Sequence, residues 1–190
     1  MGRPKLLLPL SGSTVLEHAL LAVQGAGIAN VLVVVAPDAE ELAQRADAAG
    51  AHVLRLAVDT PDMRSTCLHG LARIEAEFHP HNDDGWLLLP ADHPTVRGDV
   101  VQALLSAAQD QPDKTIVVPT HAGRRGHPTW LRWSHVAGIR ALPGEKGLNE
   151  YIRAHASETL EIPWPTDEIL RDLDTPEDYQ RMIDTRRAPA

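Results

Sequence analysis

Between Ser13 and Gly25 the apolar residues Val15, Leu16, Ala19, Leu20 and Val23 fall at helical spacing, and Ser13 or Thr14, followed by Glu17, supplies the cap. Val31 to Ala36 is instead an unbroken, mostly β-branched run bounded by Asn30 and Pro37, the pattern of a strand covered on both faces. The alternation continues with a helix over Asp38 to Ala49 closed by Gly50, a strand at His52 to Leu56, a helix from Arg64 to Phe78 and a strand from Trp86 to Leu89. A helix over Val100 to Ala108 and a strand over Thr115 to Val118 come next. Strands alternating with helices in this way predict a three-layer, Rossmann-like α/β fold with a mainly parallel sheet. Right-handed crossovers then align the C-terminal ends of the strands along one ligand-binding edge.

After Pro119 the rhythm changes. Gly123-Arg124-Arg125-Gly126 reads as a turn, short helices are expected over Ser134 to Ala141 and Leu148 to His155, Leu160 to Pro163 reads as an isolated edge strand, and Pro128 to Pro163 as a whole as a small antiparallel excursion from the sheet. A last helix starts at Pro176, with Asp174 or Thr175 as cap, and runs to about Arg186. With 190 residues and no internal repeat, residues 1–190 read as one domain.

The formal net charge of −8, with no Lys/Arg-rich run, argues against a nucleic-acid partner. Cys67 is the only cysteine, so no internal disulfide forms. Leu6-Leu7-Leu8 is interrupted by Pro9 and Ser11-Gly12-Ser13, far short of a signal peptide or a membrane span. These features point to a cytoplasmic protein without a membrane partner. Met1-Gly2 does not open a myristoylation motif, because Leu6 stands where Ser or Thr is needed.

Three stretches carry candidate chemistry. Leu87-Leu88-Leu89-Pro90-Ala91-Asp92-His93-Pro94 delivers a carboxylate from an apolar strand to the sheet edge, where Asp92 either holds a hard cation against phosphate oxygens or caps the turn. Asp172-Leu173-Asp174-Thr175-Pro176-Glu177-Asp178 sets four acids before a helix, a pattern that serves capping and the helix dipole or supplies a second metal ligand. Gly123-Arg124-Arg125-Gly126-His127-Pro128 joins two guanidinium groups to flexible backbone, suited to phosphate or to a solvated turn. Ser65 reads most simply as the N-cap of the helix that carries Cys67, a small apolar residue rather than a nucleophile. His79-Pro80-His81 lacks metal-ligand spacing, and the chain has no P-loop, Gly-x-Ser-x-Gly, His-Glu-x-x-His or dinucleotide-binding glycine fingerprint.

In order and spacing these segments resemble the molybdenum cofactor cytidylyltransferases and related MobA-like nucleotidyltransferases. Met1-Gly2-Arg3-Pro4-Lys5-Leu6-Leu7 resembles the second half of the family's opening signature, and Ser65-Thr66-Cys67-Leu68-His69-Gly70-Leu71 its Ser-Ser-Leu-x-x-Gly-Leu segment. Ala91-Asp92-His93-Pro94 stands for Ala-Asp-Met-Pro, Gly123 to Pro128 matches Gly-Arg-Arg-Gly-His-Pro, Gly144-Glu145-Lys146-Gly147 resembles Gly-Asp-x-Gly, and Asp172 to Asp178 resembles Asp-Ile-Asp-Thr-Pro-Glu-Asp.

The resemblance implies a GT-A-like nucleotidyltransferase fold and transfer of CMP from CTP, or of another nucleoside monophosphate, to a molybdopterin-type phosphate acceptor with release of pyrophosphate. It implies that Asp92 and Asp174, or Asp172 in its place, hold Mg²⁺, that Lys5 contacts phosphate, and that Ser65 lies near the base. Arg124, Arg125 and His127 would face the acceptor. Other readings are an NAD(P)-dependent small-molecule oxidoreductase of the same family and a catalytically silent nucleotide- or pterin-binding protein. The family opens with a strand and a glycine-rich loop ahead of the Met-Gly pair, so the sequence reads as N-terminally incomplete. In that case Val31 to Ala36 and Trp86 to Leu89 are expected either to face each other across a gap or to pair directly, with Lys5 to Leu10 lying over the cleft.

Overall fold

A computed structural model describes residues 4–187. After a single turn of 3-10 helix at Lys5–Leu7, strands β1 (Pro9–Leu10) and β2 (Ser13–Thr14) form a minimal hairpin. Ser11 and Gly12, with φ of 49° and 92°, supply the two left-handed residues such a two-residue turn needs. Helix α1 (Val15–Gly25) starts at a capping box in which the Thr14 hydroxyl accepts from the Glu17 N–H and the Glu17 carboxylate accepts from the Thr14 N–H.

Strand β3 (Leu32–Val35), helix α2 (Glu40–Ala48) and strand β4 (His52–Arg55) form a β-α-β unit with the two strands parallel, Leu32 opposite His52 and Val35 opposite Arg55. Helix α3 (Met63–Phe78), strand β5 (Gly85–Leu88), helix α4 (Gly98–Asp110) and strand β6 (Ile116–His121) follow. Then come β7 (Arg124–Arg125), β8 (Thr129–Arg132), helices α5 (Val136–Arg140) and α6 (Leu148–Ala154), β9 (Thr159–Pro163) and helix α7 (Pro176–Arg187).

The three-layer α/β arrangement expected from the alternation is present. Ile116 and Val118 of β6 pack with Cys67 and Leu71 of α3, Ile139 of α5 and Ile152 of α6, while Val117 between them packs with Val101 and Leu104 of α4 and Val23 of α1. Successive side chains of one strand thus feed the two opposite cores.

The sheet is mixed rather than mainly parallel. Strand β8 lies between β5 and β6 and runs antiparallel to both, β7 is antiparallel to β6, and only β9 is parallel to β6. The cause is the reversal at Ala122-Gly123, both left-handed with φ of 48° and 75°, which sends the chain back along the sheet instead of into a crossover helix. The first helix residue of α3 also differs from expectation. Asp62, extended, caps it by accepting from the Ser65 N–H at 2.7 Å, so Ser65 sits inside the first turn.

The β3–β4 pair does not join the five-stranded sheet. Among the described residues β3 pairs with β4 alone and β5 with β8 alone, and between their other edges lies a cavity of about 900 Å³. Of the two expected outcomes for these strands, the gap is the one observed. Lys5 and Leu6 border it, whereas Pro9–Leu10 pairs only with the following Ser13–Thr14, so the segment does not occupy a strand position between β3 and β5.

Candidate active site

The site forms where β5 ends. Leu89, Pro90 and Ala91 carry the chain off the sheet into a turn closed by the His93 N–H donating to the Pro90 carbonyl at 3.2 Å, which presents Asp92 at the edge of the gap. A second loop is tied to it, since the Leu173 N–H donates to the Asp92 carbonyl at 2.9 Å. Leu173 is fully buried with Leu10, Val15 and Met182, so this one apolar anchor holds the whole acidic loop against Asp92. The α7 cap explains why an acid of that loop remains available. Thr175 and Asp178 cap each other, the Asp178 carboxylate accepting from the Thr175 N–H at 2.7 Å and the Thr175 hydroxyl from the Asp178 N–H at 3.1 Å. Asp174 is therefore not the cap, and its carboxylate is turned to another partner.

That partner is Lys5. Its ammonium donates to Asp92 Oδ2 at 2.8 Å and to Asp174 Oδ1 at 2.9 Å, bridging the two carboxylates. Burial works against charge on Lys5, but its hydrogen bonds to Asp92 and Asp174 outweigh that and hold its pKa above the ordinary value. The lysine is fixed from behind by Leu7, which is buried, and by the Val15 N–H donating to the Leu8 carbonyl. The Tyr179 hydroxyl of α7 also donates to the Pro9 carbonyl.

Two histidines stand beside the acids. His93 is buried, with Nε2 4.0 Å from Asp92 Oδ1, and it meets His127 edge to face with ring centroids 4.8 Å apart. Both Nδ1 atoms are buried without a hydrogen-bond partner. Burial lowers the pKa of His93, and burial together with the neighbouring His93 pushes His127 down to about 4. His127 is held by its N–H donating to the Ile169 carbonyl at 2.8 Å, and Gly126 before it passes so close that an added Cβ would lie 2.5 Å from that same oxygen.

Of the residues singled out in the sequence, Lys5, Asp92 and Asp174 are brought into direct contact, and His127 is joined to them through His93. Asp172 precedes the Leu173 anchor and makes no contact with Lys5. Arg124 is exposed in the β6–β7 hairpin. Arg125 differs from the expected acceptor contact, because its Nε and Nη2 both donate to Glu161 Oε1 of β9, at 2.8 and 2.7 Å. Among the described residues no hydrogen bond or ion pair joins Ser65, Arg124 or Arg125 to the carboxylate pair. His93 was missed as a site residue; its place directly after Asp92 was the only available signal, since its contact with His127 is made across the sheet.

The structure is thus a three-layer α/β sandwich with a site at the end of β5 in which two carboxylates share the ammonium of Lys5. Residues 1–159 match the MobA-like NTP transferase domain, and the chain belongs to that family. No curated protein sequence matches it. Among solved structures it is similar to Rv0371c of Mycobacterium tuberculosis H37Rv in complex with manganese, at 25% identity and a TM-score of 0.75, over 96% of this chain and 93% of that one. The Rv0371c homologue of Mycobacterium sp. strain JC1 superposes with a TM-score of 0.79 at 24% identity, covering 97% of this chain and 89% of its own. A CMP:2-keto-3-deoxy-manno-octonic acid synthetase complexed with CTP shares the fold at 18% identity and a TM-score of 0.72, over 96% of this chain and 91% of that one.

Proposed function

We propose that this protein transfers a nucleoside monophosphate, CMP from CTP, to a molybdopterin-type phosphate acceptor. The observation that carries the reading is the convergence of Asp92 and Asp174 on one cationic atom, Lys5 Nζ, at the end of β5. An all-oxygen pair of carboxylates with a cation already between them suits Mg²⁺, which takes one or two protein carboxylates and completes its shell with phosphate oxygens and water. Mg²⁺ held there would neutralise charge on the triphosphate. The manganese in the Rv0371c crystal and the CTP in the octulosonic acid synthetase support a divalent cation and a cytidine nucleotide for this chain as well.

The residues then divide the work by charge and position. An acceptor phosphate oxygen attacks the α-phosphorus, the bond between the α-phosphorus and the bridging oxygen breaks, and pyrophosphate leaves. Asp92 and Asp174 would hold the cation, which would supply charge neutralisation at the phosphates, and Lys5 would turn from them to the triphosphate. His127 and His93 stay neutral beside the acids and exclude water, while the exposed Arg124 offers a charge to the acceptor phosphate. No side chain need act as a nucleophile, because positioning and charge neutralisation carry such reactions. Among the described residues no helix is long and apolar enough to cross a membrane. A cytoplasmic location is proposed from the single, buried Cys67 and the net charge of −8.

Pyrophosphate release from CTP in the presence of Mg²⁺ and molybdopterin tests this directly. Loss of release in Asp92→Asn with the fold intact is expected. Saturable CTP binding without turnover in the unaltered chain would instead favour a silent binding protein, a reading that the open gap beside Asp92 supports.

A further inference from the structure

Two apolar anchors hold the acidic loop beneath the turn that carries Asp92. Ile169 is fully buried in the core that contains Val96, Val101 and Val117, and Leu173 is fully buried with Leu10, Val15 and Met182. Apolar contact is non-directional, so it fixes how deep these side chains sit but not how the backbone between them is turned. That backbone, Leu170 to Asp172, leads directly to Asp174. The Asp174 side chain is 62% exposed and has no burial of its own to orient it.

Direction comes from two polar ties between the loops. One is main chain, the Leu173 N–H donating to the Asp92 carbonyl at 2.9 Å. The other is a side chain: half-buried Thr95, just beyond Asp92 in the same loop, donates its hydroxyl to the Glu168 carbonyl at 2.7 Å and stands 3.5 Å from the Arg171 carbonyl. A single tie leaves the acidic loop free to pivot about the Asp92 carbonyl, and a second tie at a different point along both segments removes that freedom. The same 3-10 turn, Asp167–Leu170, also holds His127 through the Ile169 carbonyl, so the Thr95 hydroxyl registers all three site loops on one piece of backbone. The Glu168 side chain does not duplicate the tie. It accepts from Trp164 Nε1 at 2.9 Å, and its contact with the Asp92 side of the site is Arg97 Nη1 at 3.7 Å, beyond hydrogen-bond distance on a side chain 63% exposed.

We propose that Thr95 is a positioning residue: its hydroxyl latches the Glu168 to Arg171 backbone to the Asp92 loop and thereby sets where the Asp174 carboxylate stands relative to that of Asp92. The consequence for a cation rests on the reading of those two acids as the pair that holds it. Mg²⁺ demands near-ideal octahedral oxygen positions, whereas Ca²⁺ tolerates longer and more variable ones, so a loosened Asp174 weakens Mg²⁺ more than Ca²⁺. Valine at this position keeps the β-branched shape and removes only the donor, while serine keeps the donor. Because Thr95 is only half-buried, neither replacement threatens the core.

Thr95→Val and Thr95→Ser are compared with the unaltered full chain in two measurements. The first, hydrogen exchange of the Leu173 amide, needs no metal. In Thr95→Val this amide should exchange at least about threefold faster than the change in global stability accounts for, and in Thr95→Ser at the unaltered rate. The second is calorimetric titration with Mg²⁺ and with Ca²⁺. Thr95→Val should bind Mg²⁺ about 3- to 10-fold more weakly, as loss of one hydrogen bond requires, with a smaller loss for Ca²⁺, and Thr95→Ser should restore both. Unchanged Leu173 exchange in Thr95→Val, an equal loss for the two cations, or a serine variant that behaves like the valine one would each overturn the proposal. If the unaltered protein binds neither cation, the metal reading of Asp92 and Asp174 fails on its own, and the Leu173 exchange rates alone decide whether Thr95 sets the loop.

Discussion

Replacing Lys5 with methionine separates the two jobs its ammonium is placed to do. In the free protein it bridges Asp92 and Asp174 at 2.8 and 2.9 Å, offsetting one of their two negative charges. The side chains are 37% exposed for Lys5, 24% for Asp92 and 62% for Asp174, so each contact lies in the regime of solvent-screened pairs rather than buried ones. Such pairs contribute about 0.2–1 kcal/mol each, and both together about 1–2 kcal/mol at the upper end. Lys5→Met therefore lowers stability by about that amount, a Tm drop of roughly 2–8 °C for a chain of this size. A divalent cation has to displace the ammonium from the same oxygens, so the same 1–2 kcal/mol opposes metal binding in the unaltered protein. Its removal should tighten Mn²⁺ or Mg²⁺ binding by roughly 5- to 30-fold. Calorimetric titration with Mn²⁺ reads this affinity, with Asp92→Asn as the control that should lose it. Transfer by Lys5→Met should nevertheless fall, because the triphosphate loses its lysine. Unchanged or weaker metal binding in Lys5→Met would refute the idea that lysine and metal compete for one site.

Gly126→Ala should destabilise the protein by more than about 2 kcal/mol in urea denaturation, because its Cβ would meet the Ile169 carbonyl oxygen at 2.5 Å and the obstacle is backbone. Arg125→Ala should cost less than about 1 kcal/mol and leave acceptor affinity unchanged, since its guanidinium is held by Glu161, while Arg124→Ala should weaken the acceptor KM without affecting Tm. His127 titrates at about 4 in the folded protein against an ordinary 6.5. The unfolded chain thus binds the extra proton first as pH falls, so its contribution is complete above pH 6.5 and is lost towards pH 4, at most about 3 kcal/mol. His127→Gln should flatten that part of the stability profile between pH 7 and 4.5 in equilibrium denaturation.

Helices and strands with strong local patterns were legible in the sequence. The Ser13 to Gly25 periodicity gives α1, and the Val31 to Ala36 run gives β3 within a residue at each end. β8 was not legible, although it occupies the middle of the sheet. Thr129-Trp130-Leu131-Arg132 is short and follows a Gly- and Arg-rich turn, so nothing local distinguishes it from loop; it becomes a strand by pairing with β5 and β6 at once. That insertion also turned an expected mainly parallel sheet into a mixed one.

The candidate site divides in the same way. Residue type and local order were enough to single out Asp92 at a strand end, an acidic loop before a helix, and Lys5, because turn chemistry and capping act over a few residues. Which acid of the loop meets Lys5 was decided by long-range contacts: the Thr175–Asp178 cap releases Asp174, and Leu173, buried against Leu10 and Val15, brings it beside Asp92 and to Lys5, 169 residues away in sequence. Arg124 and Arg125 are indistinguishable as neighbours in sequence, and only the alignment of β6 with β9 gives Arg125 to Glu161 and leaves Arg124 exposed. Local propensity is written in neighbouring residues, whereas the partner of a charge is set by which distant backbone it folds against.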